Sequence, residues 1–233
     1  MQLPRKLIAS LAFVCLLIST SSNATDYDQL SDAELDQRLA YLNKSFDEIE
    51  SPSDYWHYGW SGFYAVSAVA QAAKAADESD SDDSTKLWVG AIKSTGGLAM
   101  MLMKPLPIVH GLDEYQSMPA TTRAQKIEQL KKAEQLLRHS AWRANERYTW
   151  KPHAITIGAN LIGAAAIAAF GDSSDALSSS ALGIVIGEAA IWTQPSAAEQ
   201  QWENYKTTYG DSQTALQWQL RPTYNGVEFE LRF

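Results

Sequence analysis

The chain has a single cysteine, Cys15, among 233 residues, and it falls in an amino-terminal segment that reads as a removable leader. The remaining sequence has no thiol, which excludes disulfides, thiolate metal sites and cysteine nucleophiles from it. Basic residues are scarce as well. Loss of Arg5 and Lys6 from the 19 basic residues leaves 17 against 27 acidic ones, a formal charge of −10. So acidic a chain is a poor nucleic-acid binder.

Assembled catalytic motifs are also missing. Lys93-Ser94-Thr95-Gly96 lacks the glycines of a phosphate-binding loop, because Leu87 and Ile92 stand where they belong. No Ser-x-x-Lys, Gly-x-Ser-x-Gly or His-Glu-x-x-His occurs. His57, His110, His139 and His153 are scattered, and His110 with Asp113 and Glu114 reads as a solvated loop rather than a metal site. The reading is no catalytic residue, no cofactor and no metal.

The leader is the clearest local signal. Arg5 and Lys6 precede an apolar run from Leu7 to Ile18, and Ser22-Asn23-Ala24 supplies small residues for cleavage after Ala24. The run is too short to span a bilayer. Val14 ahead of Cys15 argues against a lipoprotein. Residues 1–24 are therefore expected to be a signal peptide, and the protein to be exported to the periplasm or outer membrane.

Helical periodicity dominates the mature chain. Ser31 with Glu34 forms a capping-box pattern, Leu30 and Leu35 a hydrophobic staple, and Leu35, Leu39, Leu42, Phe46 and Ile49 one apolar stripe. Ser51-Pro52-Ser53 is expected to end that helix. An Ala-rich helix from Trp60, an acidic loop, and an apolar helix from Leu87 to Met103 form a first hairpin. Residues 108–119 read as an irregular connection. Thr122 and Gln125 cap a long helix with Ile127, Leu130, Leu137, Ala141, Ala144 and Tyr148 on one side and Lys126, Lys131, Lys132, Arg138, Arg143 and Arg147 mostly on the other. A second apolar hairpin runs from Ala154 to Trp192, and a short helix through Tyr205 comes after it.

The two hairpins invite comparison. A shift of 90 residues places Tyr58 and Trp60 on Tyr148 and Trp150, Asp82 on Asp172, Gly97 on Gly187 and Pro105 on Pro195. The expectation is a duplicated unit, repeat 1 over about 31–107 and repeat 2 over about 120–195, within a helical domain of 25–195. Both acidic tips would then lie on the same side. Residues 196–233 hold the short helix and a tail in which Leu216, Trp218 and Leu220, then Val227, Phe229, Leu231 and Phe233, alternate with polar residues around Asn225-Gly226. That pattern predicts a β-hairpin. The fold class expected is mainly α: two pseudo-repeated helix–hairpin units, offset by about 90 residues, with a small C-terminal β-hairpin.

Apolar runs of about 17 residues are about 25 Å long as helices, short of a hydrocarbon core of about 30 Å. Trp60, Trp88, Trp150 and Trp192 stand near helix ends like an aromatic belt. The acidic tips and basic long helix reverse the positive-inside pattern for an exported chain, which disfavours the inner membrane. Two placements remain: the hairpins form the core of a periplasmic bundle, or the protein enters or lies on the outer membrane. The ending Gly226-Val-Glu-Phe-Glu-Leu-Arg-Phe233 resembles the last strand of outer-membrane β-barrel proteins. That resemblance covers eight residues, and two strands cannot close a barrel.

Lys93 and Glu188 are the ionisable residues inside apolar helices, and pseudo-symmetry makes them a candidate buried pair. Gly97, Gly158, Gly163, Gly183 and Gly187 are candidate sites of close helix packing. The function expected is an envelope component of structural or interaction type, partnered by itself, an envelope protein or lipid, and not by nucleic acid. A lipid or apolar-ligand binding module is the alternative, requiring a cavity between the hairpins. An enzyme without a recognisable motif ranks third.

Overall fold

The protein is mainly helical. A computed structural model describes residues 27–210 in full, and beyond them only the backbone of two stretches, Gln217–Thr223 and Gly226–Arg232. The predicted leader lies outside the described residues. So does any docking of the C-terminal hairpin's apolar side chains. Among the described residues, a short 3-10 turn precedes seven helices: α1 (Asp32–Asp77), α2 (Ser81–Met103), α3 (Pro107–Gln116), α4 (Arg123–Asn145), α5 (Trp150–Phe170), α6 (Ser173–Trp192) and α7 (Ala197–Tyr209).

Water-hidden apolar side chains cluster at one end, which we term the cap. Leu35, Leu39, Leu42, Phe46 and Ile49 of α1 pack with Ile108, Leu112 and Tyr115 of α3, Ile127, Leu130 and Leu137 of α4, and Ala198 and Tyr205 of α7. Thr122 accepts from the Gln125 amide while the Gln125 side chain returns to the Thr122 amide, a complete capping box. At α1 only half of the box forms. Ser31 accepts from the Glu34 amide, but the Glu34 carboxylate turns to Arg38. Glu134 then fastens the periphery, accepting from the hydroxyls of Tyr27 and Tyr205, each at 2.5 Å. Burial and this carboxylate hold both phenols well above the ordinary tyrosine range.

Three expectations need correcting. The first helix does not end at Ser51-Pro52-Ser53 but continues through Pro52 to Asp77. Interior proline costs about 3 kcal/mol. Here Ile49, Ser53 and His57 are buried on one face and Trp56 donates to the Ala190 carbonyl, so docked packing on both sides of the proline outweighs that cost. Residues 108–119 are not irregular: Pro107 sits in the first turn of α3, and Ile108, Leu112 and Tyr115 bury its inner face. At the end of α4 the chain tightens into a 3-10 turn, Glu146–Tyr148, which rotates the register. Arg147, expected in solvent, is therefore buried, and Tyr148, expected inside, is exposed.

From the cap, α1 with α2 and α5 with α6 extend as two hairpins. Their second helices start on acidic caps: Asp80 accepts from the amides of Asp82 and Asp83, and Asp172 from that of Ser174. The acidic tips thus satisfy helix N-termini and complement their dipoles. The tips lie side by side. Lys86 bridges Asp83 and Asp175 at 2.8 Å each, and Thr85 donates to the Phe170 carbonyl.

The cap yields two expected outcomes. Leu130, with no exposed surface, is expected to cost about 2–5 kcal/mol when cut to alanine. Equilibrium denaturation of Leu130→Ala against wild type checks this. His57 is buried 6.1 Å from the His110 ring, and burial, then the neighbouring imidazole, lowers its proton affinity, with Asp54 opposing. Its folded pKa lies below the ordinary 6.5. The unfolded chain therefore takes up a proton that the folded chain refuses, and stability falls as pH drops through that value. Stability measured at descending pH should fall more for wild type than for His57→Gln.

Candidate functional site

The hairpin half has the opposite polarity to the cap. Val66 and Val69 on α1, Ile92 and Leu102 on α2, Leu161 and Ile162 on α5, and Leu177 and Val185 on α6 all face outward, with Ile162 74% and Leu177 79% exposed. Trp150–Phe170 and the stretch Ser173–Tyr209 have windows of mean hydropathy 1.6 and 1.3, and only 17% of either window is buried inside the protein. A helix in water turns its apolar stripe inward. These helices turn much of it outward.

Inside, the four helices carry a polar seam. Lys93 on α2 donates to Asn160 Oδ1 on α5 at 3.2 Å, and to the carbonyl and hydroxyl of Ser179 on α6 at 3.2 and 3.1 Å. Three oxygens meet the three donors that an ammonium carries. Asn160 gives its own amide to the Thr156 carbonyl. Nearer the α1–α2 contact, Gln71 donates to Ser94 Oγ at 3.1 Å and to the Ser67 carbonyl at 3.0 Å.

Glycines make room for this seam. A methyl group on Gly163 would stand 2.9 Å from Lys93 Cδ, and one on Gly183 would run into Asn160 Oδ1. Gly97 receives the Tyr64 ring, where the same methyl would lie 2.7 Å from Cε1, and Gly187 receives Thr156. Four of the five glycines singled out by spacing are therefore close-packing positions. Gly158 is not, because it faces open space with nothing within 4 Å. Gly90, which spacing did not single out, accommodates the Gln71 amide.

Lys93 and Glu188 do not pair. Glu188 lies nine residues beyond Ser179 on α6, about 13 Å along a helix. It takes its own partners there: His153 Nδ1 at 2.7 Å and Trp192 Nε1 at 3.2 Å. His153 Nε2 lies 2.7 Å from the Arg147 carbonyl. Arg147 in turn donates to the Gln194 carbonyl and stands 3.7 Å from Glu199 of α7. The result is two polar centres. One lies within the hairpins and the other where the second hairpin joins the cap. Asn160 and Arg147 were missed from sequence. The only signal for Asn160 was its isolation as an amide in an apolar run, while Arg147 gave none, since its helical register pointed to solvent.

Among the described residues, the arrangement does not bring together a nucleophile, a base and an oxyanion donor of the kind acyl or phosphoryl transfer needs. Among the same residues no group of three or more His, Cys, Asp or Glu stands close enough to hold a metal. What the seam can do is hold helices in register, because a polar side chain buried among apolar helices is satisfied in only one alignment.

Gly183→Ala is expected to displace Asn160 from Lys93 and cost about 1–3 kcal/mol, as overpacking does. Gly158→Ala, open on every side, is expected to be neutral or to stabilise by about 0.4–1 kcal/mol through chain entropy and helix propensity. Thermal or denaturant unfolding of the two variants side by side makes the comparison. No protein-family model, curated protein or solved structure matches the chain.

Proposed function

We propose that the protein is an exported envelope component of structural or interaction type, whose paired hairpins are immersed in lipid while the cap stands in water. The observation that carries this reading is the reversal of polarity between the two halves. The cap encloses leucine, isoleucine and aromatic side chains. The hairpins present such side chains outward, bury Asn160, and hold half-buried Lys93, Ser179 and Gln71 in hydrogen bonds between their helices. Monomers in water rarely expose contiguous apolar patches beyond a few hundred Å². Hydrocarbon makes the same surface favourable and places a premium on interhelical hydrogen bonds.

The tryptophans support a layered placement. Trp60, Trp150 and Trp192 lie at the cap-side ends of the hairpin helices, and Trp88 lies two turns from the acidic tips. From Trp60 to Asp77, α1 rises about 26 Å, a few ångströms short of a hydrocarbon core of about 30 Å. The predicted leader implies a cap outside the cytoplasm. Acidic tips at the far end oppose an inner-membrane placement, and the outer membrane is the lipid surface we favour. The described cavities, about 10 Å³ beside Ile49 and Pro195 and a polar groove of about 210 Å³ beside Tyr41 and Asn204, line the cap rather than the space between the hairpins.

The element order also supports the duplication proposed from sequence. A shift of 90 residues carries the α3 start at Pro107 to the α7 start at Ala197, and the α2 end at Met103 to within one residue of the α6 end at Trp192. The C-terminal β-hairpin would then be an addition to the second unit, with no counterpart in the first.

Fractionation is the test. The full-length protein is expected to stay with membranes in alkaline carbonate and to leave them only in detergent; release by carbonate would end the lipid-immersed reading. Lysine in place of Ile162 or Val185, at a cost of about 2.5–3.5 kcal/mol each in mid-bilayer, is expected to reduce the membrane-retained fraction. Lysine at exposed Asn204 in the cap is expected to leave it unchanged.

A further inference from the structure

We propose that His153 and Glu188 form a proton-binding site that fastens the second hairpin to the cap. The argument is donor accounting and does not require that the hairpins sit in lipid. A backbone carbonyl only accepts, so the His153 Nε2 that lies 2.7 Å from the Arg147 carbonyl carries a hydrogen. The 2.7 Å gap between Nδ1 and Glu188 Oε2 must hold one more proton, since two bare lone pairs would repel at that distance. Trp192 Nε1 donates to the same Oε2, which favours leaving the negative charge there. The proton therefore rests on nitrogen, and the pair is an imidazolium facing a carboxylate.

Each side of the site depends on that proton. His153 belongs to the first turn of α5, Glu188 to the last turns of α6, and the carbonyl to the 3-10 turn closing α4. An imidazolium can donate to both at once. A neutral ring keeps one donor and must release one partner. Loss of the proton to water therefore breaks the His153 hydrogen bond either to Glu188 of α6 or to the Arg147 carbonyl at the cap. Uptake of a second proton from water, onto Glu188, removes the carboxylate charge and the attraction with it. Glu188 Oε1 is buried without a hydrogen-bond partner among the described residues, so once His153 lets go only Trp192 Nε1 still donates to the carboxylate.

The surrounding charges are otherwise engaged. The Arg147 guanidinium reaches the Gln194 carbonyl and Glu199 on α7, and lies 4.9 Å from the Tyr148 ring. Arg143 pairs with Glu146 at 2.8 Å, Lys151 on α5 is exposed, and α1 contributes Trp60, which donates to Thr193. Trp192 also lies against the imidazole, with ring centroids 5.4 Å apart.

The experiment is nitrogen NMR of the full chain with ¹⁵N-labelled histidine, in detergent micelles, with the His153 signals assigned by their loss in His153→Gln. At about pH 8, well above the ~6.5 of a free imidazole, wild-type His153 is expected to show both ring nitrogens protonated. Glu188→Gln is expected to lose the Nδ1 proton at the same pH, while Asn204→Lys, on the exposed surface of the cap, retains it. A neutral His153 in the wild type, or a doubly protonated one in folded Glu188→Gln, overturns the proposal. Should Glu188→Gln fail to fold, the wild-type spectrum decides alone. Membrane fractionation can fail without touching this result, and the reverse also holds.

Discussion

Everything in the molecule hangs on one continuous rod. α1 runs 46 residues without a break, about 69 Å at the rise of an α-helix, and it is core element in the cap and outer wall in the hairpins. Its first half is held by an apolar cluster that excludes water. Its second half has only α2 and part of the neighbouring hairpin beside it among the described residues. Such a helix is not stable by propensity alone, since most helical stability comes from packing of an apolar face. The anchorage supplied by Leu35, Leu42, Phe46 and Ile49 therefore reaches the hairpin through the backbone at Pro52.

The second half of the chain solves the same problem differently. There the rod is interrupted at Glu146–Tyr148, and side chains bridge the interruption. Arg147 and Gln194 exchange contacts with the α6–α7 turn and with the Arg143 carbonyl, and His153 ties the start of α5 back to the Arg147 carbonyl. Trp56 and Trp60 on the unbroken rod reach across to Ala190 and Thr193. One hairpin is thus held by continuity and the other by hydrogen bonds. The second kind of junction runs through a titratable side chain, His153, and the first through the backbone itself.

Local features were legible in the sequence where the signal was local. The Thr122–Gln125 box and the stripe from Leu35 to Ile49 depend on residues within a turn or two of each other, and both are where their spacing puts them; the acidic loop expected up to Lys86 is shorter, because α2 starts at Ser81 on the Asp80 cap. The misses are tertiary. Pro52 reads as a stop until Trp56 and His57 are seen to be docked beyond it. Lys93 and Glu188 fall near each other in the 90-residue register, but that register does not fix contact, and Glu188 is separated from the Lys93 partner Ser179 by nine residues of α6. Gly158 shares the spacing of Gly163 and differs only in which way it faces, which no spacing can tell. Most of all, an apolar helix with small residues has no strong moment to reveal its inner face. That the seam is polar and the outside apolar emerged only once the helices were placed.

Lys93 shows why the seam argues for lipid rather than for water. In a soluble bundle a lysine at this depth would gain by swinging outward, since its four-carbon stem can carry the ammonium to solvent. Here the stem instead lies over Gly163 and the ammonium is held by three oxygens, between helices whose outer faces are Leu, Ile and Val. With water outside, that geometry gives up hydration for three neutral acceptors and leaves apolar surface wet as well. With hydrocarbon outside, the interior is the only place where the ammonium finds oxygen, and the outward apolar faces incur no penalty. On the proposed lipid reading both features follow from a single condition, the solvent around the hairpins.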